Sequence, residues 1–462
     1  MRRDFERMLE AMSQAAEVPP ADVAALRSQV FGYATFWVTG SEASVEYPGG
    51  VLFRGNLRGG GNAAEVYATV SAGVRRLFGD KYTLLVVEEP PRVLTAADGA
   101  AAATAASEGG AGAAEEAVRC AFVVLPSALA QPTPTTGWQS ALAALLALLT
   151  LGASTELGLE AQLAQLPAET LQFFASPGAL DALPPGTPIP GLDSFSPAAL
   201  LAAALPITCG VLAVAAAHEA GHAFVARRLG VQLSPPFLIP NASLGTFGAV
   251  TQIKSLLASR EQLLDVALAG PAAGGAAAAA LFLFGLAASC GAQEALPLAQ
   301  GAEAVRAAAL AAGLVPVPSA LFQGSLLLGG LSAQLLHPVA GAETFVHPAM
   351  VAGWCGLTTT ALNSLPVGAL DGGRVALAAF GRRRLTALSV LVYIGLALGL
   401  LGGGLSLSWG LYVLIVQRVP ERTPANGITP PGEGRQRAAT LLATLSLLTL
   451  LPLSLSLPPG AL

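Results

Sequence analysis

The chain has 462 residues, of which 53% are hydrophobic and only 11% are charged, well below the roughly 25% charged share of ordinary soluble domains. This composition excludes a wholly soluble protein and predicts an integral membrane protein. The net charge is -5, and the sequence has no basic stripe with interleaved aromatic residues, so nucleic acid is excluded as a partner.

The charged residues are unevenly distributed along the chain. About half of the 24 Lys and Arg and 29 Asp and Glu residues lie within residues 1–130, which predicts a soluble domain ahead of a membrane domain. The first seven residues contain acids and no apolar run, so neither a secretory signal nor a transit peptide is expected there. We predict an N-terminal extension, 1–43, a small α+β domain, 44–130, and a membrane-embedded domain, 138–462.

Local signals outline the elements of the α+β domain. Residues 44–53 are typical of a strand with a Pro-Gly-Gly turn, and Asn62 begins a capping-box-like pattern for a helix that runs to about Phe78. The remaining segments are two β-like runs, 82–87 and 117–125, and between them an Ala- and Gly-rich insertion that we predict to be disordered, 96–116.

Uncharged apolar runs predict the membrane-spanning helices, each of which needs about 20 apolar residues. Seven segments qualify: 138–153, 197–226, 263–288, 347–370, 385–401, 405–416 and 438–457. The apolar segment 305–336 is broken by Pro316 and Pro318, so its path across, into or along the membrane stays open. The expected fold class is an all-α polytopic membrane domain of about seven to eight transmembrane helices behind a small soluble α+β domain.

Basic residues predict the orientation of these helices. Arg residues cluster at 227–228, 382–384 and 418–437, and an even number of predicted crossings separates each cluster from the next. The positive-inside rule then places all three clusters on the cytoplasmic or stromal face. The N-terminal domain falls on the same face.

Residues 218–222 read His-Glu-Ala-Gly-His and close a stretch, 194–217, without Asp, Glu, Lys or Arg. Because residues four apart lie on one face of a helix, His218 and His222 can present two imidazoles to one metal ion. Glu219 lies one position round the helix, where it can act as the base for a metal-bound water. Ionisable groups in a membrane segment are energetically costly and are therefore expected only where they serve a function, so the motif predicts a catalytic zinc site.

Two histidines leave a catalytic zinc site incomplete, because such a site usually takes three protein ligands and a water. Glu261 is the next acid along the chain, but it follows a Pro- and Gly-rich loop and opens another apolar run. Asp371 is the better candidate, since it ends a second stretch without charged residues, 344–370. The alternative for Asp371 is an N-cap or interfacial turn acid.

A specific resemblance follows from these two segments together. His-Glu-x-x-His on a membrane helix, followed by Asn-x-x-Pro-x-x-x-Leu-Asp-Gly at residues 363–372, resembles the site-two protease family of intramembrane zinc metalloproteases. Both motifs match in full and in the family's order. The resemblance implies that Asp371 is the third zinc ligand and that Asn363 gives polar support near the scissile peptide. For Asn363, a hydrogen-bonded packing residue is the alternative.

Three further segments, at residues 55–59, 78–82 and 244–251, look like the plant and cyanobacterial branch of that family. This branch comprises the ethylene-dependent gravitropism-deficient and yellow-green (EGY) proteases of chloroplasts. One member type lacks the zinc motif, whereas this chain keeps it and resembles the active type. The likeness implies a multi-pass protein of the thylakoid or envelope membrane that acts in plastid development.

The loop at residues 234–254 combines helix-breaking Pro and Gly with apolar side chains. Such a loop can dip into the membrane and pair with an extended substrate as an added strand, provided that protein or a water cavity surrounds it. A plain connecting hairpin is the alternative.

The predicted reaction is hydrolysis of a peptide bond in or near a transmembrane segment of a membrane protein substrate. Zinc is the predicted cofactor, and substrates and the lipid bilayer are the predicted partners; the oligomeric state stays open. One alternative is a membrane scaffold or carrier with a vestigial zinc motif. Another is the membrane zinc protease type that processes prenylated tails, although that type takes its third ligand from a Glu.

Overall fold

A computed structural model describes residues 17–453 of the chain, except for ten segments. The segments left out are 33–34, 58–62, 89–119, 164–165, 167, 192–195, 298–299, 337–342, 400–402 and 418–419. The insertion predicted at 96–116 lies outside the described residues.

The N-terminal part of the chain folds as an α+β unit. Its elements in chain order are α1 Pro20–Ala25, a π-helical turn Leu26–Val30, β1 Phe36–Ala43, β2 Val51–Leu57, α2 Ala63–Phe78, β3 Tyr82–Glu88, β4 Cys120–Pro126 and α3 Ser127–Ala130. The four strands form one antiparallel sheet in the order β1-β2-β4-β3. Val66, Val70 and Val74 recur every fourth residue of α2 and bury one face of the helix in the core of this unit.

The strand predicted at 44–53 is wrong in its extent. Residues 44–50 form a connection in which Gly50 N donates to Tyr47 O and Ser44 N donates to Gly50 O, both at 2.9 Å. Gly49 has φ +80°, a conformation that favours glycine, so the Pro-Gly-Gly segment separates two strands. The sheet therefore begins at Phe36, ahead of the predicted start at residue 44. The predicted helix ending at Phe78 and the two later strands are confirmed.

The turn at residues 78–82 ties α1 to the sheet. Gly79 has φ +59° and reverses the chain after α2. The next residues then bring Lys81 Nζ within 2.7 Å of Asp22 Oδ2, and the Tyr82 hydroxyl donates to the same carboxylate. The two hydrogen bonds lower the pKa of the Asp22 carboxyl, because they favour its charged form.

The remainder of the described chain is mainly helical. Its first elements are α4 Gly137–Ala161, α5 Ala168–Ala175, α6 Pro197–Arg228, β5 Phe237–Asn241, β6 Gly245–Val250, α7 Arg260–Glu294, α8 Ala302–Ala311 and β7 Val315–Pro318. They are followed by α9 Ala320–Gln323, α10 Leu326–Leu335, β8 Glu343–Val346, α11 Pro348–Asn363, α12 Asp371–Phe380, α13 Arg382–Ala397, α14 Gly403–Val416 and α15 Glu433–Leu450.

Three helices among the described residues, α4, α6 and α7, are long and apolar enough to cross a membrane. The other predicted spans form shorter helices. The segment 347–370 is not one helix, because α11 ends at Asn363 and a turn precedes α12 at Asp371. Prolines break the segment 305–336 as expected, and it forms α8, β7, α9 and α10. The prediction of an α+β part followed by a helical membrane part is thus confirmed, whereas the predicted number of seven or eight spans is not.

Helices α6, α7 and α11 pack against one another at the centre of the helical part. Small residues allow this approach. A Cβ on Gly285 of α7 would collide with the backbone of Met350, and one on Gly353 of α11 would collide with the backbone of Phe282. Nearly every residue of α11 is buried, as expected for a helix that is apolar on all sides.

A strap, residues 420–429 between α14 and α15, joins the N-terminal sheet to the helical part. Val86 of the edge strand β3 exchanges hydrogen bonds with the strap, from its N to Ala425 O at 2.8 Å and to its O from Gly427 N at 2.9 Å. On its other side the strap donates from Ala425 N and Asn426 N to the carbonyls of Leu257 and Ala258. The strap therefore covers the β3 edge and fixes the sheet at the start of α7.

Candidate metal centre

Helix α6 carries the two histidines of the predicted site on one face. His218 Nε2 and His222 Nε2 lie 3.1 Å apart, a distance that their spacing of four residues allows. His222 is buried and His218 is nearly so. The helix begins at Pro197, where the Ser196 hydroxyl accepts from Ala199 N as an N-cap.

Asp371 reaches both histidines from a helix far away in sequence. It is the first residue of α12, and its carboxylate lies 3.0 Å from His218 Nε2 through Oδ2 and 3.3 Å from His222 Nε2 through Oδ1. The Asn-x-x-Pro-x-x-x-Leu segment forms the turn between α11 and α12 that places Asp371 there. The structure thus brings all three predicted ligands together, and they are the group of possible metal ligands found among the described residues.

The three donor atoms fit a zinc ion. Zinc takes nitrogen and oxygen ligands at about 2.0–2.2 Å in tetrahedral geometry, so neighbouring ligand atoms lie roughly 3.3 Å apart. The two Nε2 atoms are 3.1 Å apart, and each faces one oxygen of the Asp371 carboxylate, His218 at 3.0 Å from Oδ2 and His222 at 3.3 Å from Oδ1. His222 Nδ1 lies 2.8 Å from the Val266 carbonyl, and a hydrogen bond there puts the proton on Nδ1 and leaves Nε2 free for a metal.

Two glycines of α7 make room for the imidazoles. A Cβ on Gly270 would collide with the ring of His222, and one on Gly274 would lie 2.8 Å from Cβ of His218. The sequence reasoning assigned no role to either residue. Their spacing of four residues could have indicated this role, because small residues at that spacing mark a helix face that another helix approaches closely.

Glu219 points to the segment that follows the β5-β6 hairpin. The Thr251 hydroxyl donates to Glu219 Oε2 at 2.6 Å. Together with His218, Glu219 lines a small cavity between α6, α11 and the hairpin. The predicted base therefore faces a space beside the candidate ligands, and Thr251 is a contact that the sequence reasoning missed.

Arg374 and Glu421 form the charged surroundings of Asp371. Arg374 Nη1 lies 3.6 Å from Asp371 Oδ1, and Arg374 Nε donates to Glu421 Oε2 at 2.9 Å. A third nitrogen, Nη2, donates to the Thr251 carbonyl at 2.8 Å. The position of Arg374 three residues after Asp371 on α12 was a signal that could have found it, whereas nothing in the sequence near Glu421 indicated its role.

Asn363 ends α11 and lies on the wall of the same cavity. Its side-chain nitrogen donates to Phe247 O at 2.7 Å and to Thr359 O at 2.9 Å. Both amide hydrogens are thus engaged, and the bond to Phe247 ties α11 to strand β6. This geometry matches the hydrogen-bonded packing alternative and also places Asn363 beside the hairpin.

The segment predicted as a loop at 234–254 contains the antiparallel hairpin of β5 and β6. Leu238 of β5 and Gly248 and Ala249 of β6 line the cavity with the site residues. The hairpin packs against α4, α6 and α11, so its backbone lies beside protein as non-helical backbone at membrane depth requires.

Family comparisons agree with this arrangement. The family model of peptidase family M50 matches residues 206–402, a range that contains every predicted site residue. The model of the EGY3 middle domain matches residues 24–131, the region of the α+β unit. No solved structure matches the chain.

Full-length relatives extend the match across nearly all of the chain. The chain is 41% identical to the probable zinc metalloprotease EGY1, chloroplastic, of Oryza sativa subsp. japonica over 97% of its own length and 70% of the relative's. It is also 41% identical to the Arabidopsis thaliana EGY1 protein, over 94% of the chain and 72% of the relative. The A. thaliana EGY2 protein is 30% identical over 96% of the chain and 66% of that relative.

Two histidines and a glutamate on a helix long enough to cross a membrane, with Asp371 completing a possible metal-binding group, are features of a membrane-embedded metalloprotease. The relatives specify the class further. The chain belongs to the family of EGY zinc metalloproteases, the chloroplast proteins that contain the M50 peptidase domain. The predicted resemblance and the predicted location in a chloroplast membrane are thereby confirmed.

Proposed function

We propose that the chain hydrolyses peptide bonds in or near the transmembrane segments of membrane proteins, with zinc on His218, His222 and Asp371 and with Glu219 as the base. One observation carries the proposal. Ligand atoms from residues 153 positions apart in the sequence meet at 3.0 Å, and Glu219 lines the adjoining cavity. A purely structural role for Asp371 at the start of α12 would not explain why two histidines lie next to its carboxylate.

The chain's own residues account for the proton transfers of the reaction. Zinc held by His218, His222 and Asp371 would act as a Lewis acid toward the scissile carbonyl and the attacking water. Glu219 takes a proton from the attacking water and delivers it to the leaving amine. The Thr251 hydroxyl, at 2.6 Å from Oε2, occupies one lone pair of this carboxylate and leaves the other oxygen for the water.

The hairpin offers a place for the substrate backbone. Proteolysis needs an extended peptide, and an extended peptide can add to the free edge of a strand. Strand β6 lies beside the cavity, with Gly248 and Ala249 on its wall. Asn363 holds the Phe247 carbonyl at 2.7 Å, so its role in this proposal is to fix β6 next to the scissile peptide.

The proposal includes seven membrane crossings, which need α11 and α13 to α15 in addition to the three long helices. Exposed apolar side chains support crossings by α13, α14 and α15, because Leu391, Leu407 and Leu441 are 64%, 77% and 59% exposed. Such apolar surface suits lipid better than water. Helix α11 lies inside the bundle and contributes almost no outer surface.

The test compares three forms of the full chain in detergent or vesicles with a membrane protein substrate. Glu219→Gln keeps the ligands but removes the base, so zinc content stays near one per chain while cleavage falls by about 10²–10⁴-fold. His222→Ala removes a ligand, so zinc and cleavage are both lost. Glu433→Gln, in an exposed ion pair with Arg437, is the control and retains both.

Cleavage by Glu219→Gln at the rate of the unaltered chain would reject Glu219 as the base. Full zinc content in His222→Ala would reject the ligand set. An unaltered chain that binds zinc but cleaves no membrane protein would point to the scaffold or carrier alternative.

A further inference from the structure

We propose that Arg374 is a positioning residue that holds the ligand Asp371 and, through Thr251, the base Glu219 in a fixed relation, with Glu421 anchoring Arg374 itself. This inference deepens the proposed function and rests on it. It is based on the contacts of one guanidinium, which reaches both the candidate ligand Asp371 and Thr251, the partner of Glu219.

Three nitrogens of Arg374 contact three different elements. Nη1 faces Asp371 of its own helix at 3.6 Å, Nε donates to Glu421 of the strap at 2.9 Å, and Nη2 donates to the Thr251 carbonyl after β6 at 2.8 Å. A guanidinium is planar and presents its N–H groups in a rigid fork. Fixing two of these contacts therefore fixes the direction of the third.

The charged groups of this cluster are buried or nearly buried, which distinguishes them from a surface ion pair. Arg374 is 6% exposed and Asp371 is 8% exposed, and the side chain of Glu421 is 17% exposed. A buried charge is tolerated only with charged partners and hydrogen bonds around it. Arg374 lies between two carboxylates, so its removal would leave Asp371 and Glu421 without the cation that separates their charges.

Thr251 connects this cluster to the base. Its carbonyl accepts from Arg374 Nη2, and its hydroxyl donates to Glu219 Oε2. The two contacts belong to one residue, so a displacement of Arg374 shifts Thr251 and with it the orientation of Glu219. Asp371 and Glu219 lie on different helices, and they are linked by the 3.6 Å ion-pair contact of Arg374 with Asp371 and by the two hydrogen bonds of Thr251.

The strap explains why Glu421 can act as an anchor. Four backbone hydrogen bonds of 2.8–3.0 Å hold residues 425–427 of the strap between Val86 of the N-terminal sheet and the start of α7. Glu421 lies four residues before the first of these bonds. The backbone that carries its carboxylate is therefore held in place, unlike the backbone of a loop without such hydrogen bonds.

The experiment measures metal retention and metal geometry as well as activity in the purified full chain. Arg374→Gln removes the charge, Arg374→Lys keeps the charge without the fork, and Glu421→Gln removes the anchor. Zinc affinity is measured by competition with a chelator, and Co²⁺ replaces zinc so that its visible spectrum reports the ligand geometry. Initial rates against substrate concentration give kcat and KM.

We expect Arg374→Gln to lower zinc affinity by about 10–100-fold, the usual effect of losing a residue that orients a metal ligand. It also changes the Co²⁺ spectrum and lowers kcat with little change in KM, because Arg374 does not line the cavity. Arg374→Lys recovers only part of the zinc affinity. Combining Arg374→Gln with Glu421→Gln adds little to Arg374→Gln alone, since both act through one guanidinium.

Arg260 provides a matched control for a purely structural arginine. It is also 6% exposed, and it donates to the carbonyls of Ala378 on α12 and Ile428 on the strap at 2.7 and 3.1 Å without contacting the ligands. Arg260→Gln is expected to lower thermal stability but to keep zinc affinity within about twofold and the Co²⁺ spectrum unchanged.

If Arg374→Gln and Glu421→Gln behave like Arg260→Gln, with an unchanged spectrum and unchanged zinc affinity, the inference is overturned while the proposed function stands. Glu421→Gln keeps this comparison available if Arg374→Gln does not fold. Failure of the proposed function looks different, because the unaltered chain would then bind no zinc or cleave no substrate.

Discussion

Glu219 carries a carboxylate into a largely apolar cavity, and one described hydrogen bond sets its orientation. The Thr251 hydroxyl donates to Oε2 at 2.6 Å, and Thr251 is itself buried. Charge-assisted hydrogen bonds of this length are among the stronger ones in proteins. The orientation of the base therefore depends on a residue that lies 32 positions further along the chain, after the hairpin.

Replacing Thr251 by Val tests this dependence. The side chains have similar shape, so the fold is retained, but the hydroxyl that orients Glu219 is lost. We expect kcat to fall by about tenfold or more, a part of the 10²–10⁴-fold that a general base contributes, with zinc content unchanged. Rates and zinc content of the purified chain give the answer. Thr449→Val removes a buried hydroxyl bonded within α15 and should leave kcat unchanged.

The sequence could single out the candidate ligands and the candidate base because each belongs to a short segment with its own geometry. His218, Glu219 and His222 need only one helix, and Asp371 lies within a motif that resembles a known family. Thr251 and Glu421 could not be predicted in the same way. Their partners lie 32 and 47 residues away, and only the packing of the hairpin and strap brings them to the site.

Helix α7 packs against the face of α6 that carries His218 and His222. Gly270 and Gly274 face the two histidines, and the Val266 carbonyl accepts from His222 on the same side of α7. These three residues follow a spacing of four, so one stripe of α7 both makes room for the imidazoles and fixes one tautomer.

A methyl group on this stripe should displace an imidazole. Gly270→Ala places a Cβ against the ring of His222, so we expect at least a tenfold loss of zinc affinity while α7 remains helical. Gly291→Ala on the same helix meets no atom within 4 Å and should be neutral or stabilise by up to about 1 kcal/mol, because Ala favours helix over Gly. Equal zinc affinity of the two variants would contradict the steric role of Gly270.

Element boundaries differed in how well the sequence could predict them. The ends of α6 were predicted within two residues and those of α7 within six, because long uncharged runs mark most of their length. The segment 347–370 was predicted as one helix, since composition alone does not show that the Pro366 segment turns and that a new helix starts at Asp371. The β5-β6 hairpin was one of two alternatives, because Pro and Gly mark a break without saying how the chain pairs.

The strap, the N-terminal sheet and the Arg residues at the end of α6 all lie at one end of the membrane domain. Arg227 and Arg228 end α6, and the N-terminal sheet pairs with the strap next to Ser259, just before α7. His222 precedes Arg227 by five residues, which is about 8 Å along a helix axis. The metal site therefore lies within about two turns of the face that carries the basic residues and the soluble domain.

This arrangement makes the seven-crossing proposal testable with two exposed positions. Arg384 follows α12 and Glu303 lies in α8, and both are exposed. In a chain with its four native Cys replaced, Arg384→Cys should react with a membrane-impermeant maleimide in vesicles whose stromal face points outward. Glu303→Cys should react only after permeabilisation, because α7 spans 35 residues, or roughly 50 Å, between the strap and α8. Labelling of both positions in sealed vesicles would contradict the proposed crossings. The same result would leave the metal centre unaffected, since its ligands come from α6 and α12.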